Sequence, residues 1–226
     1  MPTNAYGDVE ILEYKDNTNV RVKFLNTGFE GWYPAGNIKT GKIMDYTAPV
    51  VAGVGFMGEG MHSSTNQNKS YRHWVHMIKR CYSCTDEYKN YHDKFVTEEW
   101  FNFQNFTDWA LIQHGFNERK WQLDKDILVQ GNKIYSPETC CFVPARINSL
   151  VIKSDATGKA ADEFGTIYFN VRIATGERVN KGFKERDEGL AWYRAEREKA
   201  IKAVADEYKD VLDRRVYDAL YCWKVG

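Results

Sequence analysis

Residues 121–150 read WQLDKDILVQGNKIYSPETCCFVPARINSL. Two carboxylates, Asp124 and Asp126, flank Lys125 at the end of a short apolar strand. Aspartate oxygens are hard donors suited to Mg2+ or Mn2+, and a divalent ion held there would stabilise charge developing on a phosphate. The same pair also has a structural reading, because acidic residues beside a turn cap strands and hydrogen-bond the local backbone. Lys125 is a poor proton acceptor. From a reference pKa of about 10.4 it would have to fall to about 7 to act as a base, and the two carboxylates push the other way. It is better suited to holding a phosphate.

Other groups could take part. His114, just before this stretch, and His92 in DEYKNYHDK are the histidines that could swing in as a base. Cys81-x-x-Cys84 and Cys140-Cys141 could supply zinc thiolates, but adjacent residues on a strand point to opposite faces. Buried thiols are therefore the preferred reading over zinc, and five cysteines with no even spacing suit a reducing compartment. GVGFMGEG invites a phosphate-loop reading, yet it lacks the Gly-Lys-Ser/Thr ending and the strand–helix context of one.

The formal charge is zero. Residues 1–65 carry 5 Lys/Arg against 7 Asp/Glu, residues 66–160 carry 13 against 11, and residues 161–226 carry 13 against 13. No block is strongly basic, so any grip on nucleic acid must come from local clusters. No apolar run approaches the roughly 20 residues of a bilayer span, and MPTNAYGDVE shows neither a basic start nor an apolar signal core. The expectation is a cytoplasmic protein with no membrane partner.

The elements that would position these residues read as a modular α+β chain. Alternation in DVEILEY and NVRVKFL, turns at Thr27-Gly28 and Ala35-Gly36-Asn37, and a last strand KIMDY predict a small Tudor-like β-barrel over 1–50. Residues 51–69 read as connector and linker. From Ser70, expected as an N-cap, the spacing of Tyr71, Trp74, Ile78 and Cys81 predicts a helix whose other face carries Arg72, His76, Lys79 and Arg80. A second helix is expected over Thr97–His114 with Trp100, Phe103, Phe106/Thr107 and Ala110 buried, closed by Gly115. The last module, 160–226, reads as a β-hairpin around Ala174-Thr175-Gly176-Glu177, then one long helix from Asp187 through Val216.

Taken together, Tyr71, Trp74, Met77, Arg80, Cys81 and Tyr82, then Trp100 and Phe103, then Leu123, Asp124, Lys125, Tyr135, Ser136, Pro137, Cys140 and Phe142 resemble a bacteriophage family of HNH-type proteins related to homing endonucleases. The resemblance covers about residues 50–150. It implies a central ββα-metal-like core over 70–152 in which Asp124, Asp126 and Asn148 would hold Mg2+ or Mn2+, with Asn148 as the helix ligand. The general-base histidine of the family is replaced by Lys125, so the core is degenerate. Tyr168, Asn170, Arg172 and Gly182-Phe183 more loosely resemble the DNA-binding module of plant ethylene-response factors.

Alternation puts Tyr168, Asn170 and Arg172 on one strand face, where an arginine and an amide could meet base edges, and Arg178 and Lys181 follow on the hairpin. With Arg72, Lys79 and Arg80 they form the candidate DNA contacts; a solvated surface is the competing reading for both groups. Two functions follow. One is a binder of double-stranded DNA that retains metal-dependent nicking or cleavage or has lost it. The other is a catalytically inactive phage protein that uses the frame to bind a host defence or replication protein.

Overall fold

The computed structural model describes residues 1–65, 69–152 and 162–226. The chain is a mixed α and β protein that separates into two compact units, Met1–Ala110 and Leu111–Gly226. The division falls inside the 70–152 segment. The linker residues 153–161 and 66–68 lie outside the described residues. Among the described residues no helix is long and apolar enough to cross a membrane.

The first unit opens with an antiparallel sheet of β1 (Val9–Asp16), β2 (Asn19–Phe24) and β3 (Glu30–Tyr33), in the order β1-β2-β3. Val9, Val20, Val22 and Phe24 form its buried face, closed by Ile38 and Ile43. The sheet does not close into a barrel, which corrects the expectation for this module. Ala35–Lys39 is a short helix, α1, instead of a turn between strands. KIMDY forms no strand, because the Asp45 carboxylate accepts the main-chain N–H groups of Thr47 and Ala48 at 2.9 and 3.1 Å and bends the chain there.

α2 (Lys69–Tyr82) buries Trp74, Met77, Ile78 and Cys81. Ser70 lies inside this helix and is buried, accepting a hydrogen bond from Thr107 at 3.1 Å, so it is not the N-cap. The helix expected over Thr97–His114 is split into a 3-10 turn, Glu98–Phe101, and α3, Phe103–Leu111. Asn102 between them is extended because Phe56 bonds main chain on both sides of it. The expected stripe of Trp100, Phe103, Phe106, Thr107 and Ala110 is buried.

In the second unit β4 (Trp121–Asp124) pairs antiparallel with β5 (Cys141–Pro144), Leu123 opposite Phe142 and Asp124 opposite Cys141. α4 (Ala145–Val151) follows directly. β6 (Ile167–Arg172) and β7 (Arg178–Phe183) form the hairpin, and α5 (Arg186–Glu207) lies under it. The expected single helix through Val216 is two. After α5 the chain turns over Tyr208–Asp213, and Asp213 caps α6 (Arg214–Tyr221) by accepting the Arg215 N–H at 2.8 Å. Val143, Ile147 and Val151 share one core with Ile201, Val204, Ala205, Val216 and Leu220.

Candidate functional site

The frame 121–151 has the strand, loop, strand and helix order expected of it. Its chemistry is locked into its own loop. The Asp124 side chain is buried, and its Oδ1 accepts the N–H groups of Asp126 and Ile127 at 2.7 and 2.8 Å. Burial, more than any other factor, pushes its carboxyl above the usual aspartate value. Lys125, only 3% exposed, donates to Asp126 Oδ1 at 2.6 Å and to the Asn132 carbonyl at 3.0 Å, over the Tyr135 ring. It therefore faces the inside of the loop, which corrects the phosphate-holding role read for it from sequence.

Asn148 extends from α4 to donate to Gln122 Oε1 at 2.7 Å, tying helix to strand. A hard-cation site needs several oxygens turned to one point. Asp124 is engaged by main chain, Asp126 by Lys125 and Asn148 by Gln122. These three residues do not fit a resident Mg2+ or Mn2+ as they stand. Among the described residues no three His, Cys, Asp or Glu side chains are placed to hold a metal.

The two candidate bases belong to different units. His114 Nε2 contacts the Val211 carbonyl at 2.7 Å, with its ring edge-on to Trp121. His92 is exposed in the first unit, at the end of the 3-10 helix Asp86–Tyr91. Cys140 and Cys141 are buried, and burial raises both thiols well above their ordinary value, which disfavours the thiolates that zinc takes. Cys81 is buried and Cys84 exposed.

The candidate DNA contacts divide by environment. On α2, Arg72, His76 and Lys79 are exposed at helical spacing along one stripe. The helix carries no carboxylate. His73 behind the stripe is held down at a pKa of about 4, first by burial and then by Lys69, Arg72, His76 and Arg80. Arg80 is turned aside, its guanidinium 5.5 Å from the Tyr91 ring.

On the hairpin, Phe169 and Val171 point inward and are 1% exposed, while Tyr168, Asn170 and Arg172 are exposed on the other face. The register sets Asn170 opposite Asn180 and Arg172 opposite Arg178, all exposed. Lys181 pairs with Phe169 and so belongs to the inner side, where its ammonium lies over Phe183 and Trp192 at 5.2 and 5.7 Å. Lys181 thus lies on the other face of the hairpin from Asn170 and Arg172, whereas Asn180 shares theirs.

Sequence reasoning also missed Asn132. Its amide donates to the carbonyls of Lys125 and Ile134 at 2.8 and 2.6 Å and its oxygen accepts the Ile134 N–H. Asparagine after glycine was the only signal for it. No protein-family model, no curated protein and no solved structure matches the chain.

Proposed function

We propose that this protein binds duplex DNA and that its nuclease-like frame serves as a folding core without hydrolytic chemistry. The observation that carries the reading is the cross-strand pair of Arg172 and Arg178 on the open face of the hairpin. Like charges directly opposite each other destabilise a sheet, and among the described residues neither arginine has an ion-pair partner. A phosphate or a guanine edge between them offsets that repulsion. Asn170 and Asn180 on the same face add amides of the kind that read adenine. The exposed Arg72 and Lys79 of the α2 stripe supply further phosphate contacts. Because the chain is neutral overall, such clusters are where its affinity must reside.

The frame supports the non-catalytic half of the reading. Its lysine, both carboxylates and its helix amide are each engaged within the protein, and the expected base position holds the buried Lys125.

A gel-shift on duplex DNA at two salt concentrations, run beside supercoiled plasmid with Mg2+ or Mn2+, tests both halves. The expected result is a shift that weakens steeply with salt and no nicking by the wild type or by Asp124→Ala. Metal-dependent nicking that disappears in Asp124→Ala would overturn the non-catalytic reading. No shift at either salt would overturn the DNA reading and favour the protein-partner alternative.

A further inference from the structure

Between the two exposed cations of α2 stands a titratable side chain that the DNA reading has not used. Arg72 and Lys79 lie about two turns apart along the helix. His76 falls on the same stripe between them and is exposed like both. Residues three and four apart on a helix are neighbours, so a backbone phosphate held by Arg72 or Lys79 comes within reach of the His76 ring. Among the described residues none of the three has a hydrogen-bond or ion-pair partner.

No carboxylate is bonded to this stripe, and α2 itself carries none. The 3-10 helix Asp86–Tyr91 packs against α2 near Arg80. There Glu87 bonds Tyr88, Arg80 acts on Tyr88, and Asp86 and Lys89 are exposed. The neighbouring strand Phe95–Val96 carries no charge. In the 3-10 turn Glu98–Phe101, Glu98 acts on Tyr82 and Glu99 is exposed. The carboxylate of α3, Asp108, is engaged by His62 at 2.7 Å.

Resting on the DNA reading, we infer that His76 contacts DNA and joins the α2 stripe only as an imidazolium, so that binding takes up a proton. Histidine changes charge between about pH 5 and 8, and a phosphate close by favours the charged form. The sign follows by linkage: DNA favours the proton and the proton favours DNA, so affinity rises as pH falls through that range. His73, half-buried beside the stripe, is held at a pKa of about 4, first by burial, and stays neutral over the same range. Arginine and lysine keep their charge throughout, so the other candidate contacts supply no pH response.

The test is fluorescence anisotropy of a labelled DNA duplex with the full-length protein, at about pH 6 and about pH 8, each over a series of salt concentrations. At fixed salt the wild type should bind about threefold more tightly at the lower pH. Its plot of log affinity against log salt should be steeper there by about 0.9, the contribution of one phosphate contact. His76→Gln should show one slope at both pH values, and His76→Lys the steeper slope at both. His92→Gln, which alters the exposed histidine after the 3-10 helix, should keep the wild-type response. A wild-type slope indifferent to pH, or a pH response that survives in His76→Gln, would overturn this inference and leave the DNA reading standing. No binding at either pH would overturn both.

Discussion

Lys125 and Asn132 clasp each other through their main chains: the Lys125 ammonium donates to the Asn132 carbonyl at 3.0 Å, and the Asn132 amide donates back to the Lys125 carbonyl at 2.8 Å. The clasp closes the loop that leaves β4 and explains why a lysine can sit buried at that point. Its ammonium is satisfied by Asp126 and a carbonyl, as a buried charge must be.

Asn132→Ala breaks the clasp at its less replaceable end. It removes two donors and one acceptor and leaves the Lys125 and Ile134 carbonyls without that partner. Urea unfolding should show a loss of about 1–3 kcal/mol. A change below about 0.5 kcal/mol would mean that water replaces the amide at no cost.

The buried Asp124 makes a pH prediction. Its folded carboxyl is raised above the ordinary 3.8, chiefly by burial. A raised carboxyl binds its proton more tightly in the folded state, so its stabilising contribution is complete below the unfolded pKa and is lost as pH rises through the folded one. Asp124→Asn keeps an oxygen for the Asp126 and Ile127 N–H groups and removes the ionisation. Denaturant midpoints should therefore show the wild type falling relative to Asp124→Asn as pH rises from about 4 to about 7. Parallel profiles for the two proteins would refute the raised carboxyl.

How far these features were legible in the sequence depends on the range of the interactions that fix them. Alternation of Phe169 and Val171 with Tyr168, Asn170 and Arg172, around a Thr-Gly turn, is a local signal, and the hairpin follows it. The face that Lys181 takes was not legible, because it is set by pairing with Phe169 across the strands, a register that the single strand does not carry. KIMDY has strand composition, but the Asp45 side chain competes for the backbone and prevents it. The apolar spacing from Ile201 to Val216 continues across the break at Tyr208–Asp213, so periodicity alone joined two helices that Asp213 separates. The role of Lys125 was out of reach because its second partner is a main-chain carbonyl at Asn132, which no side-chain pattern reports.

The thiols offer a direct check on burial. Cys84 and Cys222 are exposed, whereas Cys81, Cys140 and Cys141 are buried. Reaction requires the thiolate and access to it, and burial raises both Cys140 and Cys141. A native-state thiol titration should modify Cys84 and Cys222 promptly and the other three only on unfolding. Prompt modification of Cys140 or Cys141 would show that the frame opens readily.

Arg178→Ala should separate binding from stability. Removing it relieves the repulsion with Arg172 across the strands, so the free protein should keep or slightly raise its Tm. DNA affinity should nevertheless fall, and the salt dependence should become shallower by about one phosphate contact, a slope change of about 0.9. Lys181→Ala should do the reverse: its ammonium covers Phe183 and Trp192, so its loss should lower Tm and leave the salt slope unchanged. Matching losses of slope in the two variants would refute the assignment of faces.

Gly189 holds the hairpin close to α5. A Cβ at this position would lie 2.1 and 2.5 Å from Cε2 and Cδ2 of Phe169, a ring that is 1% exposed and has Tyr193 and Phe183 around it. Alanine normally favours a helix over glycine by about 1 kcal/mol. Here that gain is opposed by a clash with a ring that has nowhere to move, since overpacking a filled core costs about 1–3 kcal/mol. Gly189→Ala should therefore destabilise the protein despite its better helix propensity, and in DNA binding it should lower affinity by displacing the strand that carries Tyr168, Asn170 and Arg172. Gly189→Ala with Phe169→Leu should recover part of both losses, because the smaller side chain makes room for the methyl group. A stabilised single variant would show that the hairpin does not pack on α5 as closely as these distances require.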